Sequence, residues 1–160
     1  IYLTKIETKY WIEYICKRFE NTGKHISPEL AEEICRLVDN HSSYVQQLSW
    51  LLWIRTINTA TTEQLTYALE DLLDQNNILF QSETENLSAY QMNFLKAIVD
   101  GIHTKFSSKE VISKYNLGTS ANIVRLKNAL LQKELIETNG KEIVLADPVF
   151  GVWFKKEMLY

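Results

Sequence analysis

The chain has 160 residues, of which 46% are hydrophobic, and its formal net charge at pH 7 is −3. This length can bury one core or two small ones, and the composition is that of an ordinary soluble protein. The longest apolar run, from Leu48 to Ile54, is far too short to cross a bilayer, and no leader pattern precedes a cleavage site. We therefore expect a cytoplasmic protein without a membrane partner.

The charges are unevenly distributed between the two halves. Residues 1–87 contain 7 Lys or Arg against 13 Asp or Glu, whereas residues 88–160 contain 10 against 7. A mildly basic half permits contact with phosphates, although dedicated DNA binders carry far more positive charge. Cys16 and Cys35 fall on apolar stripes of predicted helices without ligand spacing, which predicts buried thiols and no disulfide or metal site.

Four helices are predicted in the first half. Hydrophobic spacing predicts a first helix over residues 8–21 and a third over residues 42–56. The second begins at Ser27-Pro28-Glu29, and the fourth begins at a capping box over residues 61–64. The third helix is apolar on nearly every side over residues 48–54, which is typical either of a central core helix or of a helix wedged against a partner. Trp50 and Trp53 are the candidate protein interface.

A junction is predicted between the halves. Asn76 and Asn77 are expected to end the fourth helix, and the polar residues 81–86 are expected to form the junction itself. The predicted domains are therefore residues 1–80, a helical lid-like domain, and residues 87–160.

The second half predicts helix, helix, tight turn, helix, hairpin and short helix. Capping boxes start helices at Ser88 and Ser107, and the tight turn is residues 116–118. Asn139-Gly140 is the predicted two-residue loop of the hairpin, and Asp147 caps the last helix. The predicted fold class is thus mainly α, a four-helix subdomain followed by a winged helix-turn-helix with a small β-hairpin wing.

The helix after the tight turn presents polar side chains that can donate to base edges or phosphates. The candidate nucleic-acid-binding residues on its outer side are Ser120, Asn122, Arg125, Asn128 and Gln132. Lys141 lies at the expected wing tip. The same residues also suit an ordinary solvated face, and Glu134, Glu137 and Glu142 beside the wing would repel DNA.

No catalytic motif is evident. Gly118-Thr119-Ser120 lacks the lysine, the upstream glycine and the preceding strand of a P-loop, so we expect that this chain alone is not an ATPase and carries no cofactor. His25, His41 and His103 belong to no spaced ligand set, which argues against a metal site. There is no Gly-x-Ser-x-Gly elbow.

Several short segments carry a family resemblance. They are residues 26–31, residues 41–48, Leu87-Ser88-x-x-Gln91 and Asp147-Pro148-x-Phe150-x-x-Trp153. With the order of the parts, these resemble the C-terminal region of archaeal-type AAA+/STAND P-loop ATPases, in which a helical lid and a winged helix follow the ATPase core. The chain opens at Ile1 without a methionine, and we expect it to be the non-catalytic end of a larger protein.

The resemblance implies an ATPase parent that binds ATP and Mg²⁺, and a lid that packs on that parent's own core. It also implies that His41, Ser42 and Tyr44 would face the nucleotide. Family members usually carry Gly-x-Pro where this chain has Asn40-His41-Ser42, and no arginine follows closely, so the turn departs from the family pattern.

Three hypotheses for function result. The leading one is a regulatory C-terminal region of an ATPase, whose lid closure reaches the winged helix through residues 79–87 and whose winged helix binds protein or DNA. The alternative is a stand-alone winged-helix transcription regulator with a helical dimerisation domain. A third is a pure protein-interaction module, which would self-associate through Trp50 and Trp53.

Overall fold

The computed structural model describes residues 4–159, which form eight helices and one antiparallel hairpin and divide into two compact units between Asn76 and Asn77. The predicted fold class is confirmed. The elements are α1 Thr8–Glu20, α2 Pro28–Leu37, α3 Ser42–Arg55, α4 Thr62–Glu85, α5 Ala89–Val99, α6 Lys109–Tyr115, α7 Ser120–Gln132, β1 Ile136–Asn139, β2 Glu142–Leu145 and α8 Pro148–Met158.

The first unit is built from amphipathic helices whose limits follow their sequence signals. In α1 the buried side chains Trp11, Ile15 and Phe19 recur every four residues, which places them on one face. In α2 the Ser27 hydroxyl accepts a hydrogen bond from the Leu30 amide, and Pro28 occupies the first turn. The predicted starts of these two helices agree with the observed ones.

Helix α4 corrects the predicted junction, because it continues without a break to Glu85. Asn76 does not end the helix, since its side-chain amide donates to the Leu72 carbonyl within the same helix at 2.8 Å. Beyond it, Phe80 and Thr84 are buried at four-residue spacing, which keeps the helical face apolar. Residues 79–85 are therefore helical and not a loop, and the division between the two units falls inside this helix. The predicted limits of the functional domains stay a prediction.

The second unit has the helix-turn-helix order. The predicted capping box of α5 is present, because Ser88 and Gln91 exchange side-chain to backbone hydrogen bonds. The cap of α6 is Ser108 instead of the predicted Ser107, since the Ser108 hydroxyl accepts from the Val111 amide. Asn116 then ends α6 in the left-handed region at φ 52°, and Gly118 follows at φ 87°.

The hairpin loop is displaced by one residue from its predicted position. Asn139 pairs with Glu142, so the two-residue loop is Gly140-Lys141 and only Gly140 takes a positive φ, of 62°. Glycine at the first of two loop positions is the signature of a type II′ turn, whereas the predicted Asn-Gly loop is that of a type I′ turn. Lys141 still lies at the tip of the wing.

A second contact anchors the wing. The Ile143 amide in β2 donates to the His103 carbonyl at 2.9 Å, and His103 Nδ1 lies 3.0 Å from the Ile143 carbonyl oxygen. The segment before α6 therefore lies alongside β2 as a short third strand would.

Aromatic rings fill the core of the second unit. Phe80 on α4 makes an edge contact with Phe150 on α8, with ring centroids 5.4 Å apart, and it also contacts Trp153. Asp147 caps α8 by accepting from the Val149 and Phe150 amides, as predicted for that helix start. Within residues 4–159, no helix has both the length and the apolar character that a membrane span requires.

Candidate functional site

The outer face of α7 carries most of the predicted nucleic-acid-binding residues. Ser120, Arg125, Asn128 and Gln132 are all exposed to solvent. Arg125, Asn128 and Gln132 follow three- and four-residue spacing, so they lie on one side of the helix. Val124, which is 60% exposed, adds an apolar side chain beside them. The structure thus brings three of the predicted polar residues together on a solvent-facing surface.

Asn122 differs from the other predicted residues because its side chain is half-buried. Its amide nitrogen donates to the Leu117 carbonyl at 3.0 Å, and a Cβ on Gly118 would lie 3.0 Å from the same nitrogen. Asn122 therefore braces the tight turn. An open pocket of about 240 Å³ lies here, lined in part by Tyr90, Gly118 and Arg125.

The wing carries charges of both signs. Lys141 is exposed at the loop, and Glu137 and Glu142 are exposed on the strands on either side of it. Carboxylates this close to the lysine offset its attraction for phosphate, because opposite charges within a Debye length partly cancel.

The turn between α2 and α3 carries the residues that the family resemblance assigns to the nucleotide. Asn40 adopts φ 53°, a conformation that glycine enters freely and that asparagine tolerates better than most residues. Ser42 is the first residue of α3, the position at which proline is favoured. The chain therefore keeps, with other residues, the backbone conformation that a Gly-x-Pro sequence favours.

His41, Ser42 and Tyr44 are all half-buried in this turn. The rings of His41 and Tyr44 contact each other with centroids 4.7 Å apart. His41 Nδ1 is buried and has no hydrogen-bond partner among the described residues. His41 occupies the N-cap position of α3, but its side chain accepts no hydrogen bond from the helix. The first turn of α3 consequently has backbone amides that no side-chain cap satisfies.

Trp50 and Trp53 have different surroundings although they lie three residues apart on α3. Trp53 is half-buried: its indole nitrogen donates to the Thr22 hydroxyl at 2.8 Å, and Lys24 Nζ lies 3.8 Å from its ring centroid. Trp50 is 58% exposed, and Ile54 one turn later is 50% exposed. Helix α3 is therefore not covered on all sides by residues 4–159, which rules out a central core helix within this part of the chain.

An open groove of about 560 Å³ runs between α1 and α3, and its walls include Tyr14, Arg18, Trp50 and Trp53. We name it the α1–α3 groove. Tyr14 and Arg18 are not among the site residues predicted from the sequence. Their four-residue spacing on the outer face of α1 is a signal that they share a surface, but the spacing does not show that α3 lies beside it.

The Cys35 thiol is buried as predicted, whereas Cys16 is half-buried. Burial raises the pKa of the Cys35 thiol from 9.0 to about 11, and it also raises the pKa of Cys16. The part of the chain that the structure describes contains no cluster of three or more His, Cys, Asp or Glu residues suited to holding a metal ion. The thiols are packing groups rather than reactive centres.

Comparisons with known proteins agree with the helix-turn-helix and hairpin order of the second unit. Residues 78–156 match the family model described as "Probable winged helix domain". No curated protein matches this chain. The Walker-type ATPase PABY2304 of Pyrococcus abyssi is similar in structure, with a TM-score of 0.69 and 18% sequence identity over 94% of this chain. The chain spans 42% of the length of that solved chain. The second unit is a winged helix, and the chain as a whole shares the fold of a portion of that structure.

Proposed function

We propose that this chain is the C-terminal, non-catalytic region of a P-loop ATPase of the AAA+/STAND kind. The helical unit would be the lid, and the winged helix would be a regulatory or binding module. The observation that carries the proposal is the likeness in fold to a Walker-type ATPase over 94% of this chain, which is 42% of that protein's length. Winged helices occur in many unrelated proteins, so a likeness that also includes the helical half supports an ATPase more strongly than the winged helix does.

The turn between α2 and α3 adds support to this assignment. Asn40 lies in the left-handed region, which glycine enters freely, and Ser42 is at the helix start, where proline is favoured, so the turn is compatible with a Gly-x-Pro pattern. A side chain of Asn40 also ties this turn to α1, because its amide donates to the Thr8 hydroxyl at 2.9 Å. The turn is therefore held in place and does not depend on glycine or proline.

ATP and Mg²⁺ would belong to the core of the parent protein, and the α2–α3 turn would meet the nucleotide. The uncapped start of α3 suits a phosphate oxygen, because its first-turn amides lack a side-chain acceptor and His41 stands at that cap position. The carboxylate of Asp39 beside them is paired with Lys5 at 2.6 Å, which reduces its repulsion of an anion. When bound, the nucleotide would supply the negative charge that draws the lid closed.

The proposal is tested on the parent protein. We expect its coding sequence upstream of Ile1 to contain Gly-x-x-x-x-Gly-Lys followed by Ser or Thr, and we expect the purified parent to hydrolyse ATP. His41→Ala in that protein should raise the KM for ATP by about fivefold, the size of one lost polar contact. The matched control is His25→Ala, because His25 is an exposed histidine of the same unit.

Two results would contradict this function. One is a parent sequence without a P-loop, and the other is a parent protein that binds no ATP. Equal KM values for the His41 and His25 variants would remove the nucleotide role of the turn but leave the ATPase assignment standing.

A second candidate is a winged-helix DNA-binding protein, favoured by the exposed face of α7 that carries Arg125, Asn128 and Gln132. Electrophoretic titration of the chain with duplex DNA at two salt concentrations tests this second candidate. Steep weakening with salt supports DNA binding, whereas the absence of a complex at low salt removes it.

A further inference from the structure

The two tryptophans of α3 in the α1–α3 groove differ in how they are held. Trp53 is contacted at its indole nitrogen by Thr22 and over its ring by Lys24, so its ring is restrained before any partner arrives. Trp50 is 58% exposed, and within residues 4–159 it makes no hydrogen bond and no ring contact. A large exposed tryptophan beside a rigid aromatic surface is the usual arrangement of a binding hot spot, because little side-chain freedom is lost on binding.

The charge of the groove is opposite to that of its unit. Residues 1–76 contain 7 Lys or Arg against 11 Asp or Glu, yet among the described residues no Asp or Glu lines the groove. Arg18 lies in its wall with the guanidinium 5.6 Å from the Tyr14 ring centroid. Unlike Lys5, Arg36 and Arg55, Arg18 has no carboxylate partner among the described residues.

The shape of the groove suits a helix. It lies between two helices of 13 and 14 residues, and apolar exposure continues along α3 to Ile54 and beyond the end of the helix to Ile57, which is 82% exposed. An amphipathic helix laid in such a groove buries side chains at three- and four-residue spacing. A bound helix of that kind would place its apolar stripe on Trp50 and Tyr14.

From these observations we infer that the α1–α3 groove binds an acidic amphipathic helix of a partner segment, with leucine-like side chains against Trp50 and a carboxylate on Arg18. The inference rests on the proposed interface at Trp50 and adds the chemistry of what binds there. The unpaired Arg18 is the element that selects an acidic helix over a basic one, because a carboxylate can accept two parallel hydrogen bonds from a guanidinium. Nucleic acid is disfavoured there because the groove walls are largely apolar and, among the described residues that line them, only Arg18 is charged.

The test uses the full 160-residue chain and two labelled synthetic helices of about 16 residues, with leucines at three- and four-residue spacing. One peptide carries Glu at the flanking positions, and the other carries Lys there. Fluorescence anisotropy should show the Glu peptide binding about tenfold more tightly than the Lys peptide at low salt, with the difference shrinking in about 0.5 M salt. Trp50→Ala should weaken the Glu peptide about tenfold.

Charge reversal supplies the control. Arg18→Glu should invert the preference between the two peptides, whereas Lys17→Glu should leave it unchanged. Lys17 is the neighbouring exposed residue of α1, does not line the groove and brings the same change in net charge. Circular dichroism of each variant checks that the helices remain folded, and Arg18→Ala, which should abolish the preference without inverting it, provides a second readout.

Three results would overturn the inference. They are equal affinity for both peptides, binding that is insensitive to Arg18, and a concentration-dependent dimer in sedimentation that Trp50→Ala removes, since the last would assign the groove to a second copy. Binding of both peptides that depends on Trp50 but not on Arg18 would end the inference and keep the proposed interface. If Trp50→Ala changed neither peptide binding nor self-association, the candidate interface at Trp50 would be contradicted as well. ATP hydrolysis by the parent protein would still test the proposed function separately.

Discussion

The indole nitrogen of Trp153 donates a hydrogen bond to the side-chain oxygen of Asn77 at 2.8 Å, joining α8 to α4 across 76 positions of sequence. The indole ring is 1% exposed and packs against Phe80 and Phe150. This bond gives a partner to the polar atom of the largest buried side chain in the second unit. It also gives a partner to the side chain of Asn77, which lies in the interior of a long helix.

The Trp153–Asn77 bond should be measurable as a coupling free energy. Trp153→Phe and Asn77→Ala should each lower the free energy of unfolding, because each leaves a polar group unpaired or removes packing. The double variant should lose about 1 kcal/mol less than the sum of the single losses. Urea unfolding of the four proteins gives the cycle, and strictly additive losses would show that the bond contributes nothing net.

Glu83→Gln should stabilise the second unit at neutral pH. Burial raises the pKa of Glu83 above its usual value, and the nearby Asp147 carboxylate raises it further. The folded protein therefore keeps the Glu83 proton to higher pH than the unfolded chain does, so stability falls as pH rises through the range above 4.5. The amide variant lacks this loss.

The measurement for Glu83 is urea unfolding at pH 7 and again well below pH 4.5, where the gain should vanish because both states are protonated. Glu85→Gln is the control, since Glu85 is an exposed residue of the same helix. A gain of equal size in both variants would attribute the effect to net charge instead of burial.

The Cys35 thiol should react slowly and should make stability depend on alkaline pH. Because burial raises its pKa from 9.0 to about 11, the folded state holds the proton over a range in which the unfolded chain has lost it. The free energy of unfolding should therefore fall as pH rises from 9 to 11. In Cys35→Ala this slope should flatten, and iodoacetamide should label Cys35 in the wild type far more slowly before urea is added than after it.

Gly118→Ala should destabilise the tight turn by about 1 kcal/mol or more, since glycine is at φ 87° there and the new Cβ would press on Asn122. Gly23→Ala is a matched comparison, because Gly23 also has a positive φ, of 76°, but no atom lies within 4 Å of its Cβ position. The difference between the two losses measures the steric contact alone. If Gly23→Ala costs as much, the backbone conformation accounts for the whole effect.

Arg125→Ala and Lys141→Ala test whether the winged helix contacts DNA. Any affinity for duplex DNA should weaken in both variants, and the slope of log affinity against log salt should fall by about one for each lost phosphate contact. Lys155→Ala removes the same charge from the exposed end of α8 and should have a smaller effect. Equal weakening in all three variants would indicate attraction by net charge without a defined contact surface.

Local signals in the sequence predict most of the helices. Ser27-Pro28 and Ser88 with Gln91 are caps that satisfy amides within three residues, so the information is entirely local. Asn77 shows where this fails. Its neighbours suggest a break, but its partner Trp153 lies near the other end of the chain, and no spacing rule connects the two.

The residues of the candidate site also divide into those that local sequence predicts and those that depend on packing between distant segments. The outward position of Arg125, Asn128 and Gln132 could be predicted from helical spacing. Asn122 was wrongly placed with them, because its side chain turns to the Leu117 carbonyl.

The α1–α3 groove could not be predicted, since Tyr14 and Trp50 become neighbours only when α1 and α3 pack together. The different exposure of Trp50 and Trp53 likewise depends on distant residues, because Trp53 contacts Thr22 and Lys24, which belong to another segment.

The double contact between His103 and Ile143 determines how the wing can behave. The ribbon is pinned at Ile143, three residues beyond Gly140, so the free part of the wing is short. Swinging the whole ribbon would sacrifice both polar contacts at once. The wing is therefore held in one position by these contacts. A ligand that contacts Lys141 must fit that position without movement of the wing.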